Sequence, residues 1–245
     1  MFEATVKCEV LKEVVNVIST LVNEAKFSID SKGLTVRAVD PAHVAMVDLE
    51  LKAGAFEKYK ADETELGIDL EKLGEVLKLA SATDKISLQF DEERNKLVVK
   101  VENITRRMPL VDVASMSEPK VPNLNPTVKV VLKTSELDKG IKAGETVSDH
   151  IALVATPEGF EVTSESETDF ASLKLSKASL EALQCKELTK SLYSSDYFSK
   201  MIKAITSSEK VMLWLGNDYP VKLEFELANG HGKAYYLLAP RIESE

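Results

Sequence analysis

Residues 33–51 read GLTVRAVDPAHVAMVDLEL, and residues 159–177 read GFEVTSESETDFASLKLSK. Both stretches open on glycine, alternate apolar with polar residues, break at a polar loop and then resume the alternation. At an offset of 126, Val36 falls on Val162, Ala45 on Ala171, Val47 on Leu173 and Leu49 on Leu175. The same offset sets Leu11 on Leu137 and Phe27 on Leu153. At 125, Leu73, Val76, Leu77 and Lys78 fall on Phe198, Met201, Ile202 and Lys203, and KISL from Lys85 falls on KVML from Lys210. At 124, Leu97, Val99 and Val101 meet Val221, Leu223 and Phe225. A drift this small and in one direction marks a structural unit written twice.

Within each half the period of the pattern changes with position. Leu11, Val14, Val15, Ile18, Leu21 and Val22 recur at helical spacing, which predicts a helix over 9–24. KFSID, LTVRAV and VAMVDLEL alternate as strands. Leu70, Leu73, Val76 and Leu77 predict a second helix, followed by strands KISLQF and KLVVKV around the charged turn DEERN. A third helix over 135–147 is matched by the repeat but weakened by Gly140 and Gly144, each costing about 1 kcal/mol against Ala. One half therefore reads β-α-β-β-β twice and the chain four times. The class is α+β, with antiparallel sheets carrying helices on one face. Open sheet edges require management, and head-to-tail pairing of a two-half chain can close a ring. Between the halves, MSEPKVPNLNP (116–126) has three prolines and no period. Proline removes donors and favours extended neighbours, so this stretch is a stiff strap. Its Val121 and Leu124 suit more than a connector.

The chain has 245 residues, 44% hydrophobic and 29% charged, which is ordinary for a globular protein. No apolar run reaches a membrane span and no signal peptide is visible, so a soluble, membrane-free, cytoplasmic protein is expected. Cys8 and Cys185 have no metal or disulfide spacing and read as small core residues. The sequon at Asn103 is then irrelevant. Forty acids against 31 bases give a net charge of −9. Such a surface repels nucleic acid at long range, so any contact with DNA needs bases gathered on one face.

Enzyme signatures are missing. There is no phosphate-binding glycine loop and no nucleophile elbow. His43, three residues after Asp40, allows an Asp–His dyad without a placed nucleophile. His150 reads as a turn residue, His231 as an exposed hairpin tip, and SESETD from Ser164 as an acidic loop. No metal, cofactor or catalytic group is expected.

RAVDPAHVAMVDLEL (37–51), EPKVPNL (118–124), GNDYPVKLEFEL (216–227) and LLAPRIESE (237–245) resemble, taken together, the sliding clamps of DNA replication, above all archaeal proliferating cell nuclear antigen. The likeness runs from MFEA to the C-terminus. It implies an N-terminal clamp domain over 1–115, a connecting loop over 116–127 and a C-terminal clamp domain over 128–245. It also implies a closed ring of three copies around double-stranded DNA, sheets outside and helices inside, without catalysis. Such a homotrimer, nucleoid-associated, confers processivity on DNA polymerase and holds a clamp loader, flap endonuclease and DNA ligase through a PIP-box-like peptide: Gln, an aliphatic residue, two aromatics. The alternatives are a subunit of a heteromeric clamp and a repair-specialised scaffold.

Site residues follow from the resemblance. Lys12, Lys78, Lys139, Lys142, Lys200 and Lys203 on the four helices are the implied DNA contacts. Lysine suits sliding because it is a flexible point charge without arginine's fork. Glu13 and Glu75 share those helices and imply a less positive hole. The implied peptide pocket is Val39, His43, Val44, Met46, Val121, Pro220, Leu237, Leu238, Ala239, Pro240 and Ile242, with the acids of residues 243–245 at its mouth. Strand alternation gives one of Leu237 and Leu238 to the core and the other to the pocket. The implied subunit interface pairs Arg107, Met108, Leu110, Val111 and Val113 with Ser172, Leu173, Lys174 and Leu175. NITRRMPLVDV lacks an aromatic and an Asp-Pro found in many relatives, and Gly144 stands where a helix former is common.

Overall fold

The computed structural model describes residues 1–116 and 119–242. The chain divides into two compact units, one holding residues 1–120 and 226–234, the other residues 121–225 and 235 onward. The first half runs β1 (Phe2–Lys7), α1 (Cys8–Ser19), β2 (Glu24–Asp30), β3 (Gly33–Val39), β4 (Ala45–Lys52), β5 (Lys58–Ala61), β6 (Thr64–Asp69), α2 (Leu70–Leu77), β7 (Lys85–Asp91), β8 (Lys96–Val101) and β9 (Ile104–Pro109). The second half repeats it: β10 (Val128–Lys133), α3 (Thr134–Glu145), β11 (His150–Thr156), β12 (Gly159–Glu165), β13 (Phe170–Ser176), β14 (Ala182–Gln184), β15 (Thr189–Ser194), α4 (Ser195–Ala204), β16 (Lys210–Leu215), β17 (Val221–Leu227) and β18 (Gly232–Leu238). The fourfold β-α-β-β-β pattern stands, with β5 and β14 as additions. β5 has four residues and β14 three, too few for either to carry a legible period.

Each β-α-β-β-β module gives its first strand away. β1 pairs with β7 and β5, in the order β5-β1-β7-β8-β9, while β6 pairs with β2 beside β3 and β4. In the second unit β10 joins β16 and β14, and β15 joins β11-β12-β13. A helix follows each of these first strands without a linking residue, so the chain leaves the sheet at once. The next strand starts elsewhere.

The helix starts are closed by the neighbouring module. Lys7 and Lys133 precede their helices without a side-chain cap. Instead Cys8 N–H donates to Asp84 O at 2.8 Å, and Thr134 N–H to Glu209 O at 2.9 Å. Leu70 N–H donates to Asn23 O and Ser195 N–H to Asp149 O, both at 2.9 Å. These satisfy donors that a helix start leaves open. The repeat thus recurs bond by bond, at the offsets of 125 and 126 read from the sequence. Asp69 adds a side-chain cap, accepting from Lys72 N–H at 2.9 Å. Its hydrogen bonds to Lys72 hold its carboxyl below the usual carboxylate range.

The apolar helix faces are buried as their spacing predicts: Leu11, Val14, Val15 and Ile18 on α1, and Leu70, Leu73, Val76 and Leu77 on α2. Each side chain contributes about 1.5–3 kcal/mol. Helix α1 stops at Ser19 rather than residue 24, and Leu21 N–H closes its end by an i→i−3 bond to Ile18 O at 3.1 Å. Helix α3 covers Thr134–Glu145 rather than 135–147. Glu13 is not on the open helix face: it is buried, with Ala228 N–H at 3.4 Å from its carboxylate. Cys8 is core as expected, but Cys185 is only half-buried. Burial pushes both thiols up from the ordinary range.

Gly140 explains the weak third helix. A Cβ there would sit 2.9 Å from Leu173 Cδ2 and 3.1 Å from Val162 Cβ, so the missing side chain lets α3 close on β12 and β13. Gly74 in α2 has only Val15 Cγ1 nearby, at 4.0 Å. Gly140→Ala is expected to lower the unfolding midpoint, since about 1–3 kcal/mol of overpacking outweighs about 1 kcal/mol of helix propensity. Gly74→Ala is expected to raise it, adding up to about 1 kcal/mol of stability. Urea titration of both variants decides, and a stabilised Gly140→Ala would show that α3 has room to spare.

Candidate functional site

The second unit carries a groove of about 350 Å³. One wall is the strap: Val121, Pro122, Asn123, Leu124 and Pro126. The other is Trp214 of β16, Pro220, Lys222 of β17, and Tyr235 and Leu237 of β18. The prolines leave the strap without a ladder, and it is pinned at its far end. Asn125 N–H donates to Tyr219 Oη at 3.0 Å, and Thr127 N–H to Leu215 O at 2.9 Å. Tyr219 is held in turn: Tyr193 Oη donates to its carbonyl at 2.7 Å, and its own N–H donates to Ser191 Oγ at 2.9 Å. Tyr193 is fully buried, and burial raises its phenol well above the ordinary range, so it stays a donor.

Of the eleven sequence-expected pocket residues, Val121, Pro220 and Leu237 line this groove. The alternation of β18 settles the two leucines: Tyr235 and Leu237 face the groove, while Leu238 is buried outside its lining. Ala239 and Pro240 follow, half-buried, and Arg241 N–H donates to Leu192 O at 2.7 Å. Ile242 is 77% exposed and outside the groove lining. The acids expected at the mouth, residues 243–245, lie outside the described residues. Trp214, Lys222 and Tyr235 were missed. The period-2 pattern of VKLEFEL and AYYLL carried the signal, since Lys222 and Tyr235 occupy the polar-face register.

Val39, His43, Val44 and Met46 belong to the first unit. They flank a turn built on Asp40, which is 2% exposed. Its carboxylate accepts from Ala42 N–H at 3.0 Å, Val44 N–H at 2.8 Å and Ala45 N–H at 2.7 Å. His43 sits at φ 58, exposed, beside Val44 at 37% exposure. Met46 is buried and Val39 half-buried. Asp40 thus serves the backbone of the turn.

The helix lysines are mostly held by acids. Lys139 pairs with Glu136 at 2.7 Å, Lys142 with Asp138 at 2.6 Å, Lys200 with Asp196 at 2.7 Å and Lys203 with Glu145 at 3.4 Å. Lys12 is half-buried and donates to Ala80 O at 2.8 Å. Lys78 is exposed at the end of α2 and has no carboxylate partner among the described residues. Glu75 pairs with Arg106 at 3.3 Å. A cleft of about 650 Å³ beside α3 and α4 brings Lys142 and Lys203 together with Lys133 and Lys210, which sequence reasoning missed.

Strands β9 and β13 each end a sheet within their unit. Arg107 and Met108 lie on β9, and Ser172, Leu173, Lys174 and Leu175 on β13, whose alternate residues are exposed throughout. Leu110 N–H still reaches Asn95 O at 3.5 Å, one pair past the end of β9, but Val111 and Val113 leave the strand. The strand stops at Pro109, and Val111 turns away to bridge Gly67 of β6. Gly67 permits this because a Cβ there would lie 2.2 Å from Val111 O. Among the described residues there is no cluster of His, Cys, Asp and Glu fit for a metal, and no helix is long and apolar enough to cross a membrane.

Residues 1–116 match the family model for the proliferating cell nuclear antigen N-terminal domain, and residues 120–241 that for its C-terminal domain. A "DNA polymerase sliding clamp" of Methanocella arvoryzae is 42% identical over the full length of both chains. One from Natronomonas pharaonis is 40% identical, also over both full lengths. Among solved structures, "C-terminal region of FEN-1 bound to A. fulgidus PCNA" superposes with a TM-score of 0.95 at 34% identity, covering all of both chains. The clamp of Thermococcus kodakaraensis gives 0.91 at 30% identity, covering 98% of this chain and all of that one.

Asp40→Ala leaves three backbone donors without their acceptor and is expected to cost about 2–3 kcal/mol, as charged hydrogen bonds do. His43→Ala should stay within about 0.5 kcal/mol, as exposed substitutions do. Equal losses in thermal unfolding would mean the imidazole also holds the turn.

Proposed function

The chain belongs to the proliferating cell nuclear antigen family of DNA polymerase sliding clamps, and from that premise we propose that three copies close head to tail into a ring around duplex DNA. The supporting observation is the pair of open edges, β9 on one unit and β13 on the other. Each offers unpaired backbone groups to a neighbouring copy. A heterologous contact of this kind closes when its rotation divides a full turn. Arg107 and Met108 would then meet the β13 strand of the next copy. The domain limits in this reading are 1–115 and 128–245, joined by 116–127.

The clamp serves DNA replication. It has no reaction of its own: it holds DNA polymerase, a clamp loader, flap endonuclease and DNA ligase on the template in the cytoplasm, at the nucleoid. Lys78, Lys139, Lys142, Lys200 and Lys203 face phosphates, with Lys12 contributing less. The pairing of Lys139, Lys142, Lys200 and Lys203 with acids on the same or the adjacent helix suits sliding. An exposed ion pair is worth about 0–1 kcal/mol, so a passing phosphate can replace the carboxylate and be released again. No base is read, because phosphate contacts position without specifying. Partners dock by a peptide in the groove beside the strap, where an apolar anchor seats between Val121, Pro220 and Leu237.

Sedimentation of the purified chain is expected to give a trimer; a monomer at micromolar concentration would overturn the homotrimer in favour of a heteromeric clamp. Reversal of Lys139, Lys142 and Lys203 to Glu should shorten retention on circular DNA with the trimer intact. The log–log salt slope should become shallower by about 0.9 for every phosphate that is no longer neutralised. Dissociation of the trimer instead would make these lysines interface residues.

Val121→Asp places a charge on a side chain 43% exposed in the strap. It should weaken a Gln-aliphatic-aromatic-aromatic peptide at least about tenfold, the scale of a truncated interface anchor. Unchanged affinity by calorimetry would remove the strap from the docking site.

A further inference from the structure

The floor of the groove carries an alternation of charge and ring that runs across the strands. Lys129 of β10 pairs in register with Trp214 of β16, and Trp214 pairs with Lys222 of β17. Lys222 lies over Tyr235 of β18. Directly opposed residues share a sheet face. The row Lys129, Trp214, Lys222, Tyr235 therefore faces one way. Lys129 Nζ is 5.0 Å from the Trp214 ring centroid, and Lys222 Nζ is 4.4 Å from that of Tyr235. Three of the four line the groove.

We infer that this ladder selects partner peptides carrying Asp or Glu on one side of their aromatic anchors. The inference rests on the docking reading above and adds its charge preference. A ring face attracts an ammonium without neutralising it, so it fixes the cation's position and leaves its charge available. A lysine held this way has lost side-chain freedom in advance, which lowers the entropic cost of a new ion pair. Lys222 also pairs with Glu224 at 2.8 Å, but its three donors leave room for a second acceptor. Lys129 has no carboxylate partner among the described residues. In a chain of net charge −9, two half-buried lysines on an aromatic floor form a local reversal of sign. Basic peptides feel the general field, whereas within the groove these lysines favour an acidic side chain.

The test uses the full-length protein and short synthetic peptides with one Gln-aliphatic-aromatic-aromatic core. A pair of Asp or a pair of Asn is placed on one flank or the other. At low salt, Asp on one flank should bind about fivefold tighter than Asn, the scale of two partly exposed ion pairs. That ratio should fall to about one in the Lys129→Gln, Lys222→Gln double variant and at high salt, where such pairs are screened. Lys222→Arg should keep it, because the charge remains. Comparing two peptides on the same variant cancels any general damage to the groove. A ratio near one on the native chain, equal preference at both flanks, or a ratio that survives the double variant each overturns the ladder's role while docking stands. If no peptide binds at all, the docking reading falls and the inference with it.

Discussion

The structure depends on a reciprocal exchange of backbone groups between the two modules of each unit. A helix that starts directly off a strand exposes open N–H groups, and neither Lys7 nor Lys133 can cap them with a side chain. The carbonyls that close α1 and α3 come from Asp84 and Glu209, just beyond the helices of the other module. The carbonyls that close α2 and α4, from Asn23 and Asp149, return the exchange. Strands β1, β6, β10 and β15 cross over in the same sense. Neither module can therefore complete its sheet or its helix start alone, so each unit should behave as one cooperative body although its sequence is modular. The exchange also fixes which edges stay open. Val111 bridges β6 and Arg241 bridges β15, one per unit, while β9 and β13 keep an unpaired side within their units.

Charge is arranged to hold loosely. Four of the six helix lysines already sit on carboxylates, at 2.6–3.4 Å. For a protein that must bind one phosphate strongly this would be a defect. In the sliding role proposed above it would flatten the energy along the path, since each step would trade one exposed ion pair for another of similar worth. The net charge of −9 repels nucleic acid at long range.

Much of the fold was legible because it rests on periodicity. The helical spacing of Leu70, Leu73, Val76 and Leu77, and the offset that carries Gly33 to Gly159, belong to faces buried on every repeat. What escaped was set by local bonding with no apolar period. Strands β5 and β14 are edge pieces, and α1 ends early, closed by the Leu21 N–H bond to Ile18 O. Glu13 looked like a surface acid because its type is almost always exposed, yet its place beside Leu11, Val14 and Val15 points it inward to Ala228. In the groove, the resemblance supplied Val121, Pro220 and Leu237, but the cross-strand row did not emerge. Lys129 is far in sequence from Trp214, Lys222 and Tyr235, and the strand pairing aligns the row.

The tail shows the same division. As sequence, AYYLLAPRIESE offered two leucines and no way to tell them apart. Tyr236 and Leu238 are buried among core side chains, so alternation leaves Tyr235 and Leu237 to line the groove. Pro240 lacks an N–H, and Arg241 then gives its own to Leu192. That anchor, just past the end of β18, ties the groove wall to β15. The opposite wall is stiffened by a different device, proline rather than pairing. A site built from a pinned strand and a stiff strap needs little ordering when a peptide arrives, so more of the interaction energy is available for binding and less is lost to entropy.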